Sequence, residues 1–269
     1  MKPHAFAYER GDDLHQVGTR LENPDIRVIA GGQSLGPMLN LRLAQPESLL
    51  DIASLPELKG YQQLEDGLMI GAATTHAEIE DGLLPDTCNG ILPRIARGIA
   101  YRAVRSRGTI GGSLAHADPA ADWATSLCAL EAQVILQQHQ GGRAQLRRLY
   151  LRDFLRGAFQ TMLAPGELIL AVFVPTVPPS ARFGYFKMCR KTGELAHAIG
   201  AVYSVPATAT KRVVFGALAG APLTLEGDDA LVPERWRQAL AQRAPDTEPA
   251  DLEIRIHVMQ RALDRSNQQ

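Results

Sequence analysis

Apolar positions fall into short runs whose spacing switches between strand-like and helix-like periods, which predicts a mixture of strands and helices. Residues 13–22 carry the pattern of a short amphipathic helix, and residues 26–30, apolar except for Arg27, predict a buried strand. That strand leads straight into Gly31-Gly32, so the glycine pair follows a strand's carboxyl end. Residues 38–43 fit helix or strand, and residues 48–52 predict another buried strand. Runs at 61–64 and 68–72 flank Asp66-Gly67, a hairpin signal.

Residues 75–80 resemble a capped helix start, and residues 90–103 carry apolar positions at helical spacing before the basic Arg102, Arg105 and Arg107. A second glycine-rich turn is expected after that helix. Asp118-Pro119-Ala120-Ala121-Asp122 then predicts a helix reaching residue 132, with Asp118 at its cap and Pro119 at its first position. Strands are expected at 134–137 and 145–149 around the turn Gln140-Gly141-Gly142, and the apolar run 168–174 predicts a central strand. Pro175, Pro178 and Pro179 mark a linker. Beyond it, strands are predicted at 182–191, 202–205 and 212–218, and helices at 234–243 and 251–265, with no internal repeat.

A length of 269 residues permits a sizeable core in one large domain or a few small ones. The formal net charge of -1 provides no basic excess for neutralising phosphates along a nucleic acid. Cys88, Cys128 and Cys189 are widely spaced and include no C-x-x-C, so neither a disulfide framework nor a zinc or iron–sulfur site follows. No stretch has the apolar length of a membrane span or the apolar centre of a signal peptide. A cytoplasmic protein with small-molecule or protein partners is the expectation.

The candidate chemistry lies in two glycine-rich segments: Val28-Ile29-Ala30-Gly31-Gly32-Gln33-Ser34-Leu35-Gly36-Pro37, and Arg107-Gly108-Thr109-Ile110-Gly111-Gly112-Ser113-Leu114-Ala115-His116. Adjacent glycines let backbone approach a ligand closely while successive N–H groups converge on an anion. Two such turns could hold a diphosphate from both sides. Neither ends in the Lys-Ser/Thr of a P-loop, and neither fits G-x-G-x-x-G, so the commonest nucleotide folds lose support.

These segments, with Asp118-Pro119-Ala120-Ala121-Asp122, Gly166-Glu167-Leu168-Ile169-Leu170 and Phe186-Lys187-Met188-Cys189-Arg190-Lys191-Thr192-Gly193 in order, resemble the FAD-binding medium subunit of molybdenum hydroxylases. That family includes the carbon monoxide dehydrogenase flavoprotein and a domain of xanthine dehydrogenase. The resemblance implies an α+β fold: two α+β subdomains of the vanillyl-alcohol-oxidase type, at 1–55 and 56–175, and a C-terminal α/β flavoprotein domain at 176–269. It implies that Val28, Ile29, Ala30, Gly31, Gly32, Gln33, Ser34 and Leu35 wrap the FAD diphosphate. Thr109, Gly111, Gly112 and Ser113 would form a second cradle, Ser113 standing where the family often has Asn.

Asp122 would accept from FAD hydroxyls, as its two oxygens allow. Ile169 falls at the adenine side or in the core, and Lys187 would stabilise an anionic reduced flavin or is a solvated strand lysine. The resemblance brings His116 to the diphosphate, whereas by residue type alone His116 and His197 read first as packing residues. Thr192-Gly193-Glu194-Leu195 departs from the family, which tends to place an aromatic over the flavin ring where this chain has Leu195. Arg143, Arg147, Arg148, Arg152 and Arg156 read as a solvated face or a contact for a partner subunit.

The resemblance further implies partners: a large subunit with the molybdopterin cofactor and a small subunit with two 2Fe–2S clusters, assembled as a dimer of heterotrimers. Electrons would leave through FAD to NAD, oxygen, a quinone or a redox protein. The rival readings are a noncatalytic docking subunit with a vestigial site and a stand-alone flavin oxidase. The absence of a cysteine cluster disfavours the benzoyl-CoA-reducing branch.

Overall fold

A computed structural model of the chain describes residues 2–140 and 143–268. Its first elements are β1 (Ala7–Arg10), α1 (Leu14–Arg20), β2 (Ile26–Ile29), α2 (Leu35–Asn40) and β3 (Ser48–Asp51). β3 lies between β1 and β2 and pairs parallel with both, so each return crosses over through a helix. α1 starts where the Asp13 carboxylate accepts the Gln16 N–H at 2.7 Å. The expected strand at 26–30 exists, but only Ile26 is buried. As an edge strand, β2 leaves Val28 and Ile29 half-buried. The segment at 38–43 resolves as the end of α2, which Arg42 terminates at φ +60°.

The middle of the chain forms β4 (Tyr61–Gln63), β5 (Gly67–Gly71), α3 (His76–Glu80), α4 (Ile91–Gly98), α5 (Arg102–Arg105), α6 (Ile110–His116) and α7 (Asp122–Ala129). It continues through β6 (Gln133–Gln140), β7 (Arg143–Tyr150), α8 (Leu151–Phe154), β8 (Leu155–Gly157), β9 (Gln160–Thr161) and β10 (Glu167–Pro175). The main sheet has the order β4-β5-β10-β6-β7, so the apolar run ending at Pro175 is the central strand its composition predicts. The hairpin at 61–72 forms as read. Thr75 and Glu78 complete a capping box at the start of α3. The predicted turn at Gln140-Gly141-Gly142 includes Gly141 and Gly142, which lie outside the described residues.

Three expectations are corrected here. The helix predicted over 90–103 stops at Gly98 and restarts at Arg102, with Ala100 at φ +42° between them. The break follows from Arg105, whose guanidinium donates to Ile99 O at 2.8 Å and Ala100 O at 3.0 Å and so withdraws both carbonyls from a helical ladder. The second glycine segment, expected as a turn, runs into α6, with Gly111 and Gly112 in the helix's first turn. The helix predicted from Asp118 begins at Asp122, because Asp118 turns the chain locally by accepting the Ala120 N–H at 2.9 Å.

The last sheet is β11 (Arg182–Met188), β12 (Ala198–Val205), β13 (Thr210–Gly216) and β14 (Leu223–Glu226), an antiparallel meander followed by α9 (Pro233–Arg243) and α10 (Pro249–Ser266). α10 packs on β11 and β12. Every residue of α7 is buried, and its Trp123, Ala124 and Leu127 share one apolar core with Val172 of β10, Ala201 of β12 and Val214 of β13. The basic run is largely engaged within the molecule. Arg147 forks onto Glu167 with both contacts at 2.6 Å, Arg148 lies 4.1 Å over Phe173, and Arg152 pairs with Glu131 at 3.0 Å. Among the described residues no helix is long and apolar enough to cross a membrane.

Candidate functional site

The two glycine segments, far apart in sequence, touch. A Cβ on Gly31 would lie 2.1 Å from the Arg107 carbonyl oxygen and 2.8 Å from the Gly108 Cα, so only glycine allows this seating. Gly32 turns the chain at φ +69°, and the Gln33 side-chain amide folds back onto Gly31 O at 3.0 Å. The Gly36 N–H, 2.9 Å from Gly32 O, is the first donor taken by α2; the amides from Gly32 to Leu35 precede it as the open donors of a helix start. Ser34 is exposed and does not cap α2.

The second segment behaves differently from the expected cradle of backbone donors. Ile110 N–H donates to Thr74 O at 3.0 Å, Gly111 to Ala72 O at 2.9 Å, Gly112 to Thr109 Oγ1 at 3.1 Å and Ser113 to Thr109 O at 3.0 Å. The first two amides hold α6 to the chain leaving β5 and the other two close its N-terminus on Thr109, and a Cβ on Gly111 would stand 2.5 Å from that of Ala72. The Ser113 side chain is half-buried on α6.

Asp122, first residue of α7, is buried and meets Lys187 from β11. The Lys187 ammonium lies 2.8 Å from Asp122 Oδ1 and 3.0 Å from Oδ2, and it also donates to Gly98 O at 2.8 Å. Tyr185 donates its hydroxyl to Asp122 Oδ1 at 2.7 Å. Burial first, and the Asp122 charge second, push the Tyr185 phenol well above its ordinary range, so it stays protonated and donating. Tyr185 was missed in the sequence reading; the alternation Phe183, Tyr185, Lys187 along one strand face was its signal.

His76 was also missed. It is buried at the start of α3, accepts from Trp123 Nε1–H at Nδ1 over 3.1 Å, and lies against Gly108. Burial, then Arg105, lower its pKa to about 4, so it is neutral near pH 7. It thereby ties the second glycine segment to α7.

Of the expected site residues, those from Val28 to Leu35 and those from Thr109 to Ser113 belong to the touching segments, and Asp122 and Lys187 pair with each other. Ile169 is 5 % exposed within the main core. His116 lies at the far end of α6 from Thr109, its ring centroid 5.1 Å from that of Phe159. Neither is brought to the contact between the glycine segments. Open amides before α2, the hydroxyls of Ser34, Thr109 and Ser113, and a carboxylate with a lone pair left on Oδ2 fit a ligand carrying both a diphosphate and hydroxyl groups.

The fold is α+β, and its two touching glycine segments carry the open donors that an anionic ligand needs. The chain belongs to the family described as the FAD binding domain in molybdopterin dehydrogenase, whose model matches residues 4–177. It is 38 % identical over 207 residues, 76 % of this chain and 68 % of the relative, to the 6-hydroxypseudooxynicotine dehydrogenase complex subunit alpha of Paenarthrobacter nicotinovorans. It is 36 % identical to the glyceraldehyde dehydrogenase medium chain of Sulfolobus acidocaldarius, covering 73 % of this chain and 68 % of that one. Among solved structures, a carbon monoxide dehydrogenase from Hydrogenophaga pseudoflava superposes with a TM-score of 0.88 at 28 % identity, covering 100 % of this chain and 99 % of that one. The α+β fold and the family expected from the sequence are therefore borne out, and the chain is an FAD-binding component of an oxidoreductase.

Proposed function

We propose that this chain is the electron-transferring medium subunit of a three-component molybdenum hydroxylase. It would receive electrons from a small 2Fe–2S subunit and pass them to an external acceptor. FAD, when bound, supplies the chemistry: it exchanges electrons singly or in pairs and so links iron–sulfur clusters to acceptors of either kind. The observation that carries the reading is the seating of Gly31 on Arg107 and Gly108, which unites the two segments into one binding edge.

Along that edge the amides from Gly32 to Leu35 and the hydroxyls of Ser34, Thr109 and Ser113 bind the diphosphate. Asp122 Oδ2, which already accepts from Lys187, takes a cofactor hydroxyl on its remaining lone pair, while Oδ1 stays with Tyr185 and the Lys187 ammonium that bridges both oxygens. Lys187 arrives already paired, so it contributes a balanced dipole rather than a free positive charge. Ile169 and His116 serve by packing. The division into three units, 1–55, 56–175 and 176–269, is supported by the three-, five- and four-stranded sheets falling one in each, and FAD is held chiefly by the first two. A large subunit with molybdopterin and a small subunit with 2Fe–2S clusters complete the complex as a dimer of heterotrimers, and NAD, oxygen, a quinone or a redox protein takes the electrons.

The test is co-expression with the two partner subunits, followed by release and chromatography of bound flavin. About one FAD per chain, reduced when the complex receives its organic substrate and reoxidised by one of the four acceptor classes, is the expected outcome. A colourless chain within an otherwise active complex would sink the electron-transfer role in favour of a docking module.

A further inference from the structure

Tyr101 follows by three residues the Gly98 carbonyl that Lys187 holds, and so stands on the segment leaving the Asp122–Lys187 pair. The residue is 55 % exposed, yet the backbone that carries it is firmly held. Lys187 ties down Gly98 O, and Arg105 ties down Ile99 O and Ala100 O. Arg105 is itself locked on Glu80 by two contacts of 2.7 and 3.0 Å. Between these anchors Ala100 adopts φ +42°, a conformation that favours glycine and that persists only where its surroundings impose it, often beside ligands. A large aromatic ring is thus held outward on a strained, clamped segment.

The ring meets a second segment that also leaves the pair. Gly193, at φ +87°, lies so close that a Cβ would stand 2.6 Å from Tyr101 Cζ, and Leu195, two residues on, is 64 % exposed. The missing Cβ of Gly193 gives the phenol end of the ring its seat. Leu195, although placed where the resemblance anticipates an aromatic, offers no π surface.

We propose that Tyr101 is the aromatic cover of the isoalloxazine ring in this chain, a role that rests on the FAD reading of the site. An electron-rich phenol matches an electron-poor planar heterocycle, and its seat on Gly193 fixes the ring at little cost in side-chain freedom. Tyr101 here takes the part that position 195 does not supply.

The experiment uses the full chain with its partner subunits, loaded with FAD, and reads flavin emission and excited-state lifetime per bound FAD. Tyrosine or tryptophan in van der Waals contact quenches flavin emission, whereas leucine does not. Tyr101→Leu is expected to retain about one FAD per chain and to emit severalfold more strongly with a longer lifetime. Tyr101→Trp is expected to stay dark. Equal emission per bound FAD in the wild type and Tyr101→Leu overturns the proposal. A wild-type chain that holds no FAD overturns the flavin reading itself and this inference with it, so the two failures are distinct.

Discussion

Gly31 and Arg107 meet backbone to backbone: a methyl group on the glycine would come within 2.1 Å of the arginine's carbonyl oxygen. A carbonyl in a clamped turn cannot yield that distance, so Gly31→Ala must push the two segments apart. The expected loss is about 1–3 kcal/mol of stability, as for other overpacked sites. FAD affinity should fall roughly tenfold or more, since each 1.4 kcal/mol lost at the site is a factor of about ten. Gly36→Ala is the control, because a Cβ there meets nothing within 4 Å. Thermal melting and FAD titration of both variants check the contrast.

The neutral His76 makes stability depend on pH in a defined window. Its pKa falls from 6.5 in the unfolded chain to about 4 in the fold, so the unfolded state takes up the proton first as pH drops. The contribution is complete above pH 6.5, declines as pH falls toward 4, and amounts to about 3 kcal/mol at most. His76→Phe should flatten that part of the curve while lowering stability near pH 7, where it abandons the Trp123 indole. Urea unfolding at a series of pH values is the measurement; identical pH profiles for the two proteins would count against the assignment.

Asp122 and Lys187 form a nearly buried ion pair, their side chains 9 and 14 % exposed. Removing one partner leaves the other uncompensated, so Asp122→Ala is expected to cost about 3 kcal/mol. The Asp122→Ala/Lys187→Met double variant should cost less than the sum of its singles, with a coupling of about 1–3 kcal/mol. Denaturant unfolding of the four proteins closes the cycle, and strict additivity would refute the coupling.

The three thiols should separate by reactivity. Burial pushes Cys88 up to about 11 and Cys128 up to about 12, whereas Cys189 is only half-buried. In the native chain at pH 8, iodoacetamide is expected to modify Cys189 alone, with Cys88 and Cys128 reacting after unfolding. Peptide mass mapping before and after denaturation checks the order.

The sequence by itself determined the elements whose causes are local. The apolar run into Pro175 reads as a central strand because no other pattern buries it, and the Thr75–Glu78 capping box marks a helix start with side chains three residues apart. The two glycine segments, Asp122 and Lys187 were legible as candidates through their residue types, and the family through their order. What only the tertiary structure decided depends on groups distant in sequence. Arg105, locked on Glu80, breaks the helix at Ala100; Ala72 and Thr74 take the first amides of α6, so that the expected glycine turn continues as a helix. Tyr185 and Lys187 converge on Asp122, and His76 on Trp123, only once β11 and α3 pack beside α7. Periodicity and turn chemistry report short-range sterics and burial, whereas the hydrogen bonds and charge pairs that settle this site form between segments brought together by the folded core.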